Sequence, residues 1–334
     1  MNLIPDKKKP SIPRQHLEEY NILIFSEPGL GKTSFVNAFN DCMLVLFENS
    51  AKSILSNDVN LSQKVETSSQ YSYEWQIFKD TISQFMQGGH EYKTFGVDTI
   101  TRAYDSALSY MMAVELNGIH PSVSQKDDDY SGYSLLNGEL KNVFSKILNS
   151  NYGTILSAHA SYKKIKDLKG VKEYKLIPDT GGSFGKWIMG EVDIIIFLTK
   201  NEKGDRVFYL EQGSDFDAKQ RLPFENNEIV IETKKLNPGK HAYETFKKEF
   251  DKAIKRMNKS FGITQDMIDE CYKDEKKQKE IANLQQEIIS KLEETGITPA
   301  KNRLKLKEIV GVTSVMDIDK VESAKKYLDY LKNK

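Results

Sequence analysis

The sequence has few of the features that mark secreted or membrane proteins. Only two of its 334 residues are cysteines, Cys42 and Cys271, so a disulfide framework is excluded and a reducing, cytoplasmic setting is expected. The longest apolar runs are short, for example residues 192–198 with Asp193 inside, whereas a membrane-spanning helix needs about 18 apolar residues. Residues 1–13 carry three lysines and three prolines rather than the apolar stretch of a signal peptide. Secreted, membrane-spanning and zinc-ribbon classes are therefore not expected.

Net charge is also absent, but the charges are unevenly distributed. The chain has 48 basic and 48 acidic residues. Residues 234–334 carry 23 basic and 17 acidic residues, whereas residues 1–233 carry 25 and 31. A basic C-terminal region is typical of an appendage that faces a polyanion, although a solvated lysine-rich helix would give the same count.

The order of apolar patterns predicts an α/β fold, in which helices cover a twisted, mostly parallel sheet. Strands are predicted at 21–25, 43–47, 94–98, 154–157, 192–198 and 207–211, and helices at 32–40, 74–87, 103–116 and 135–148. Nearly everything after residue 233 has a helical pattern. We therefore expect an N-terminal arm over 1–20, a core over 21–233 and a helical C-terminal region over 234–334, with a small helical module at about 283–334.

A phosphate-binding motif follows the first predicted strand. Its residues match the P-loop pattern G-x-x-x-x-G-K-[ST] except that a serine replaces the first glycine, and with the next residue they form the expected nucleotide-binding set: Ser26, Glu27, Pro28, Gly29, Leu30, Gly31, Lys32, Thr33 and Ser34. The glycines allow the backbone N–H groups to point at phosphate oxygens. Lys32 would bridge the β- and γ-phosphates, and Thr33 would bind Mg²⁺. ATP with Mg²⁺ is thus the expected ligand.

A second metal ligand is predicted at the end of the strand over 94–98. Asp98 ends this buried run and fits the Walker B position, where a carboxylate holds Mg²⁺ together with Thr33. The alternative is an aspartate that caps the following helix.

The position of a third acidic residue separates classes of P-loop protein. The strand over 43–47 ends in Glu48, which would lie beside the P-loop at the carboxyl edge of the sheet. Thr99, not a glutamate, follows Asp98. This arrangement resembles the RecA/DnaB-type recombinase and helicase core. The resemblance implies that Glu48 is the general base, with a surface glutamate at a strand end as the alternative.

The same resemblance extends to three other residues. His159 follows the strand over 154–157, where the RecA/DnaB-type core has a polar residue that senses the γ-phosphate; a core histidine is the alternative. Lys219 and Arg221 look like the Lys-x-Arg element that reaches the nucleotide of a neighbouring subunit. The alternative for this pair is plain solvated charge. Catalytic roles are thus expected for Lys32, Glu48, His159, Lys219 and Arg221.

Residues 20–233 together resemble the phage-encoded AAA-type proteins that have a minimal RecA-like core and act as single-strand annealing recombinases. An Asp-Tyr-Gly stretch of that family appears here at 129–132 with an inserted serine. The resemblance implies an oligomeric ATPase, a ring or a filament, that acts on single-stranded DNA in phage recombination or replication, inside the cytoplasm of a bacterial host. It also implies a single-strand-binding or replisome protein as a partner of the C-terminal helices.

A lysine-rich hairpin is the predicted DNA contact. Residues 161–186 read as a hairpin followed by a glycine-rich loop at 180–185, and tyrosines alternate with its basic residues. Cations that neutralise phosphates and rings that stack on bases suit a single strand. The expected contacts are Lys163, Lys164, Lys166, Lys169, Lys172 and Lys175. A solvated hairpin is the alternative.

Two other functions fit parts of the same pattern. A regulatory or adaptor NTPase, such as a helicase loader or a nucleotide-gated scaffold, would use the C-terminal region to bind a protein rather than DNA. A metabolic kinase fits less well, because no arginine-rich lid follows the fifth predicted strand.

Overall fold

Strands that are apolar at nearly every position form the centre of the sheet. In β1 (Ile22–Ser26) and β4 (Thr94–Asp98) all residues are buried. Successive side chains of a strand point to opposite faces, so Leu23 and Phe25 enter one core cluster and Ile22 and Ile24 enter another. A strand that is buried on both faces must lie between two helical layers.

The structure, a computed structural model, describes residues 11–61, 70–116, 132–166, 172–232 and 237–332. These residues divide into two compact units, one from Arg14 to Met257 and the other from Asn258 onward together with residues 11–13.

The first unit is built on a nine-stranded sheet. Its other strands are β2 (Cys42–Leu46), β3 (Asp58–Asn60), β5 (Gly153–Lys166), β6 (Lys172–Pro178), β7 (Ile194–Lys200), β8 (Arg206–Tyr209) and β9 (Glu228–Ile231). The strand order is β3-β2-β4-β5-β1-β7-β8-β9. From β3 to β7 all neighbours are parallel, whereas β8 and β9 are antiparallel and β6 forms an antiparallel hairpin with β5. The predicted mostly parallel α/β sheet is confirmed.

Helices cover both faces of this sheet. One face packs against α2 (Gln70–Gln87), α3 (Ile100–Tyr110), α4 (Gly132–Leu148) and α5 (Gly182–Glu191). The other face packs against α1 (Lys32–Val36) and α6 (Pro238–Phe261). No helix among the described ranges combines the length and the hydropathy that a membrane crossing requires.

The structure differs from the sequence pattern at three places. The helix expected over 32–40 ends at Val36, after which the chain continues in tighter i→i+3 turns. The helix expected over 103–116 begins at Ile100 and changes to π-helix at Met111. Part of the expected glycine-rich loop at 180–185 is the first turn of α5; Gly181 before it lies so close to the ring of Tyr104 that a β-carbon would be 2.0 Å from Cζ. That glycine serves close packing.

The structural core extends beyond the expected boundaries at residues 20 and 233. At its start, Leu17 and Tyr20 are buried in the cluster that α6 also enters. At its end, the apolar face of α6 packs on the sheet, with Phe246 fully buried against the rings of Phe35, Phe208 and Phe224. The composition changes at residue 233 because α6 has a highly charged outer face, although its inner face belongs to the core.

The second unit is helical, as expected for the C-terminal region. It contains α7 (Gln265–Thr295), α8 (Pro299–Val310) and α9 (Val321–Lys332). A small core of its own unites the second half of α7 with the other helices, around Ile288, Leu306, Tyr327 and Leu328. This cluster lies in the region where a helical module is expected, at about 283–334, and the limits of that module stay a prediction.

The packing of α6 leads to a stability prediction. Phe246→Ala should lower the free energy of unfolding by about 3–5 kcal/mol, because it removes a buried ring and leaves a cavity. Phe261→Ala on the same helix is the matched control, since Phe261 is 68% exposed and its loss should change stability by no more than about 0.5 kcal/mol. Urea unfolding followed by circular dichroism measures both; equal effects would place α6 outside the core.

Candidate functional site

The loop between β1 and α1 has the backbone that a P-loop requires. Gly29 and Gly31 have φ angles of 80° and 101°, which L side chains rarely adopt. Ser26, which replaces the first glycine of the motif, does not have a positive φ angle and is fully buried. Its hydroxyl donates to the carbonyl of Glu27 at 2.7 Å and lies 3.0 Å from Nζ of Lys32. A serine therefore fits this position and binds the motif's lysine.

Carbonyl oxygens of the loop hold the side chain of Lys32 inside it. Its Nζ donates to the carbonyls of Ser26 at 3.1 Å and Glu27 at 3.2 Å, and the residue is only 6% exposed. Burial lowers the pKa of Lys32, and the nearby charges of Asp98 and Glu48 oppose that shift. The ammonium group of Lys32 is thus desolvated, and few carboxylates lie close enough to compensate its charge. An anionic ligand would therefore be stabilised beside it.

Asp98 ends β4 and collects three hydroxyl groups. Thr33 in α1 donates to Oδ2 at 2.6 Å, and Ser50 in the loop after β2 donates to the same oxygen at 2.7 Å. Ser157 in β5 donates to Oδ1. Asp98 is only 1% exposed, so its carboxylate has lost the hydrogen bonds of water. The three hydroxyl groups replace those hydrogen bonds.

Glu48 lies beside Asp98 at the carboxyl edge of the sheet. The hydroxyl of Thr99 donates to its Oε1 at 2.8 Å, and Nε2 of His159 lies 2.9 Å from the same oxygen. Burial would raise the pKa of Glu48, but the hydrogen bonds from His159 and Thr99 and the charge of Arg102 outweigh it and lower that pKa. Glu48 is therefore held as a carboxylate at neutral pH.

The donor set fits Mg²⁺ better than a transition metal. Thr33 and Asp98 offer only oxygen atoms, and Mg²⁺ in phosphate sites is held by one or two protein oxygens with phosphate and water as its other ligands. Among the described residues no group of three or more His, Cys, Asp or Glu side chains forms a metal site.

The structure thus brings together most of the site residues expected from the sequence. Their common location is the edge where β1, β2 and β4 end and where the pairing of β5 with β1 stops; this set is Lys32, Thr33, Glu48, Asp98 and His159. Their roles stay predictions, since the contacts establish proximity and not activity.

Lys219 and Arg221 lie near the start of β7, at the ends of the strands opposite the P-loop. Lys219 donates to the carbonyls of Met189, Gly190 and Val192 at 2.7–2.9 Å, so all three N–H bonds of its ammonium group are used at the end of α5. Arg221 pairs with Asp193 at 3.1 Å. Within one chain, Lys219 caps a helix, and a role for Arg221 at a neighbouring subunit stays a prediction.

The predicted DNA lysines differ in exposure. Lys163 and Lys164 are exposed in the β5–β6 hairpin, whereas Lys175 is 6% exposed and forms an ion pair with Asp217 at 2.7 Å. Lys175 is therefore unsuited to contact DNA, because its charge is already neutralised inside the core. The backbone of Lys166 and Lys172 continues the hairpin.

Two expectations fall outside the described residues. Lys169 lies within 167–171, and the Asp-Tyr-Ser-Gly stretch at 129–132 falls within 117–131 except for its glycine, which begins α4.

The sequence pattern missed four polar residues of the site. Ser50 and Ser157 bind Asp98, Thr99 binds Glu48, and Arg206 lies beside Gly31. Ser157 and Thr99 stand at strand ends next to predicted residues, which was a usable signal. Ser50 and Arg206 carry no such signal, because their positions depend on a loop path and on an antiparallel strand.

Comparisons with known proteins assign this chain to a family. A family model described as "AAA domain" matches residues 18–222. A comparison with curated proteins found no match.

A comparison with solved structures found distant matches, among them a KaiC-like protein and the RadB recombinase. A KaiC-like protein from the hyperthermophilic archaeon Pyrococcus horikoshii is 14% identical, with a TM-score of 0.32, and the match covers 64% of this chain and 89% of the other. The RadB recombinase is 13% identical, with a TM-score of 0.36, and the match covers 64% of this chain and 87% of the other. Likenesses this distant do not bear on the activity of this chain.

The contacts of Glu48 lead to a pH prediction. Its folded pKa lies below the ordinary value of 4.5, so Glu48 stabilises the fold above that pH and this stabilisation is lost as pH falls through the folded pKa. His159→Ala should raise the pKa of Glu48, because burial then lacks one opposing hydrogen bond. The ¹³C carboxyl shift of Glu48, assigned by its absence in Glu48→Gln, measures the change. His241→Ala is the control, and an unchanged pKa in His159→Ala would refute the coupling.

Proposed function

We propose that this chain, which belongs to the AAA domain family, is an ATPase that binds and hydrolyses ATP with Mg²⁺ and acts as an oligomer on single-stranded DNA. One observation carries the ATPase proposal: the hydroxyl of Thr33, directly after the P-loop lysine, donates at 2.6 Å to Asp98, which is 65 residues away in the sequence. This contact between the two proposed Mg²⁺ ligands supports the proposal.

Different groups of the proposed site would bind the phosphates and the metal ion. Lys32 would bind the β- and γ-phosphates, and the N–H groups around Gly29 and Gly31 would bind further phosphate oxygens. Thr33 and Asp98 would hold Mg²⁺, which neutralises charge on the phosphates when bound. Ser50 and Ser157 fix the orientation of the Asp98 carboxylate.

Glu48 would accept the proton of the attacking water. A general base must be ionised before the reaction, and the lowered pKa of Glu48 meets this condition at neutral pH. Its oxygen Oε1 is already engaged by Thr99 and His159, which fix the carboxylate group and leave Oε2 for water. His159 would act as a positioning residue for Glu48.

The exposed part of the β5–β6 hairpin supports the DNA proposal. Tyr162 is 67% and Tyr174 is 60% exposed, and Nζ of Lys164 lies 5.7 Å from the ring centroid of Tyr174. Exposed rings next to cations provide stacking surfaces for bases and charge for phosphates without reading sequence. Lys163 adds a further exposed cation at the same hairpin.

Assembly of several copies is the remaining part of the proposal. Arg221 has a side chain that is 51% exposed, and its pairing with Asp193 and the carbonyl of Gly190 leaves further N–H groups for another ligand. In a ring or a filament, Arg221 of one copy would approach the nucleotide of the next. The helical second unit is the candidate contact for a protein partner.

Substitutions at the site should separate ATP binding from ATP turnover. Lys32→Ala should abolish both, because no other side chain supplies its charge inside the loop. Glu48→Gln should lower kcat roughly 100- to 10,000-fold and leave ATP affinity nearly unchanged, because general-base catalysis contributes about that factor. Phosphate release and equilibrium ATP binding measure the two effects.

Glu91→Gln is the matched control for this experiment, since it removes an exposed carboxylate from the loop before β4. It should have the turnover of the unaltered protein. Turnover of Glu48→Gln at that same rate would exclude Glu48 as the base.

The hairpin leads to a prediction about DNA binding. Tyr162→Ala and Tyr174→Ala should each weaken binding of a single-stranded oligonucleotide by about 1–3 kcal/mol, the worth of one stacked base. Tyr162→Phe and Tyr174→Phe keep the rings and should bind normally. Lys163→Ala with Lys164→Ala should reduce the slope of log K against log salt by about 0.7 per lysine.

Lys146→Ala, on the exposed side of α4, is the charge control and should leave the slope unchanged. Fluorescence anisotropy across a salt series measures all these variants. Strong DNA binding that survives every hairpin substitution would refute this site. Absence of DNA binding in the unaltered protein would favour the adaptor NTPase instead.

A further inference from the structure

Arg206 differs from the other arginines of the first unit in having no acidic partner within the part of the chain that the structure describes. The paired arginines are Arg14 with Glu19, Arg102 with Asp105, Arg221 with Asp193 and Arg256 with Glu225. Arg206 forms no ion pair with any carboxylate of the described residues, and its buried Nε has no hydrogen-bond partner among them. A buried donor without a partner is costly, so an anionic ligand that accepts from the guanidinium group would be stabilised there.

This guanidinium group lies directly on the P-loop. A β-carbon on Gly31 would be 3.6 Å from both Cζ and Nη1 of Arg206, which is ordinary van der Waals contact. Gly31 immediately precedes Lys32, so Arg206 contacts the part of the loop that would surround the phosphates.

The turn before β8 holds Arg206 in this position. The side-chain carbonyl of Asn201 accepts hydrogen bonds from the main-chain N–H groups of Lys203 and Asp205, at 3.0 and 2.9 Å. Arg206 then pairs in register with Lys200 of β7 and with Ile231 of β9. These contacts fix the main chain at Arg206, so ligand binding would order only its side chain.

The strand order places Arg206 on a different side of the P-loop from the catalytic groups. Glu48, Asp98 and His159 come from β2, β4 and β5, all on one side of β1, whereas β7 and β8 lie on the other side. The γ-phosphate must approach Glu48 to react with its water. With the γ-phosphate toward Glu48, the phosphate nearest the nucleoside would lie on the side of Arg206.

We propose that Arg206 binds the nucleotide in cis, through the phosphate nearest the nucleoside, and so sets affinity for ADP and ATP alike. This inference rests on the proposed ATPase function. Since the contact is equal before and during the reaction, it would change KM and not kcat.

Binding of fluorescent ADP and ATP analogues to the full chain, with Mg²⁺, tests this proposal. Arg206→Ala should bind both roughly 10- to 100-fold more weakly, by the same factor, because a hydrogen bond to a charged group is lost. Arg206→Lys should restore part of the affinity. Lys200→Ala is the matched control, because it removes an exposed cation from the cross-strand position without touching Gly31.

The possible results separate this inference from the function on which it rests. Equal losses for ADP and ATP, with kcat and the melting temperature of the free protein unchanged, support it, as does an equal loss for a guanine nucleotide. Unaltered affinity in Arg206→Ala, a loss confined to ATP, or a loss confined to one base overturns it alone. An unaltered protein that binds no nucleotide overturns both proposals.

Discussion

The hydrogen bond from Thr33 to Asp98 joins the two parts of the chain on which the site depends. Asp98 is buried at the end of β4, and a buried carboxylate requires hydrogen-bond donors. Those donors here are three hydroxyl groups and no cation. These neutral donors satisfy the oxygens, and Lys32 acts on Asp98 through its charge rather than through a hydrogen bond. Because hydroxyl groups rather than an ion pair satisfy its oxygens, Asp98 suits the divalent cation that we propose it holds with Thr33.

The sheet brings these groups together because its central strands are parallel. Parallel strands end at one edge, so Ser26, Glu48, Asp98 and His159 converge there although they are spread over more than 130 residues. This convergence could be predicted from sequence, because a strand buried on both faces has a continuous apolar pattern and the next polar residue marks its end. Ser50 could not be predicted, since it follows β2 at a distance that only the loop path determines.

Lys219 and α6 show why charge is a weak guide to position. Lys219 resembles a catalytic cation in sequence, yet three carbonyl groups at the end of α5 use all of its N–H bonds. The composition changes at residue 233, yet Phe246 and Phe250 of α6 are fully buried against the sheet. In both cases the sequence reports which residues are charged or apolar, whereas function and domain limits depend on which neighbours they meet.

One strand connects the proposed nucleotide site with the proposed DNA surface. His159 of β5 lies in register with Ser26 of the P-loop strand, and Ala160, the next residue, begins the pairing with β6 that leads to Tyr162. Three residues of extended chain span about 10 Å, and the partner of β5 changes from β1 at His159 to β6 at Ala160. The hairpin is thus continuous in sequence with His159, whose Nε2 lies 2.9 Å from Oε1 of Glu48.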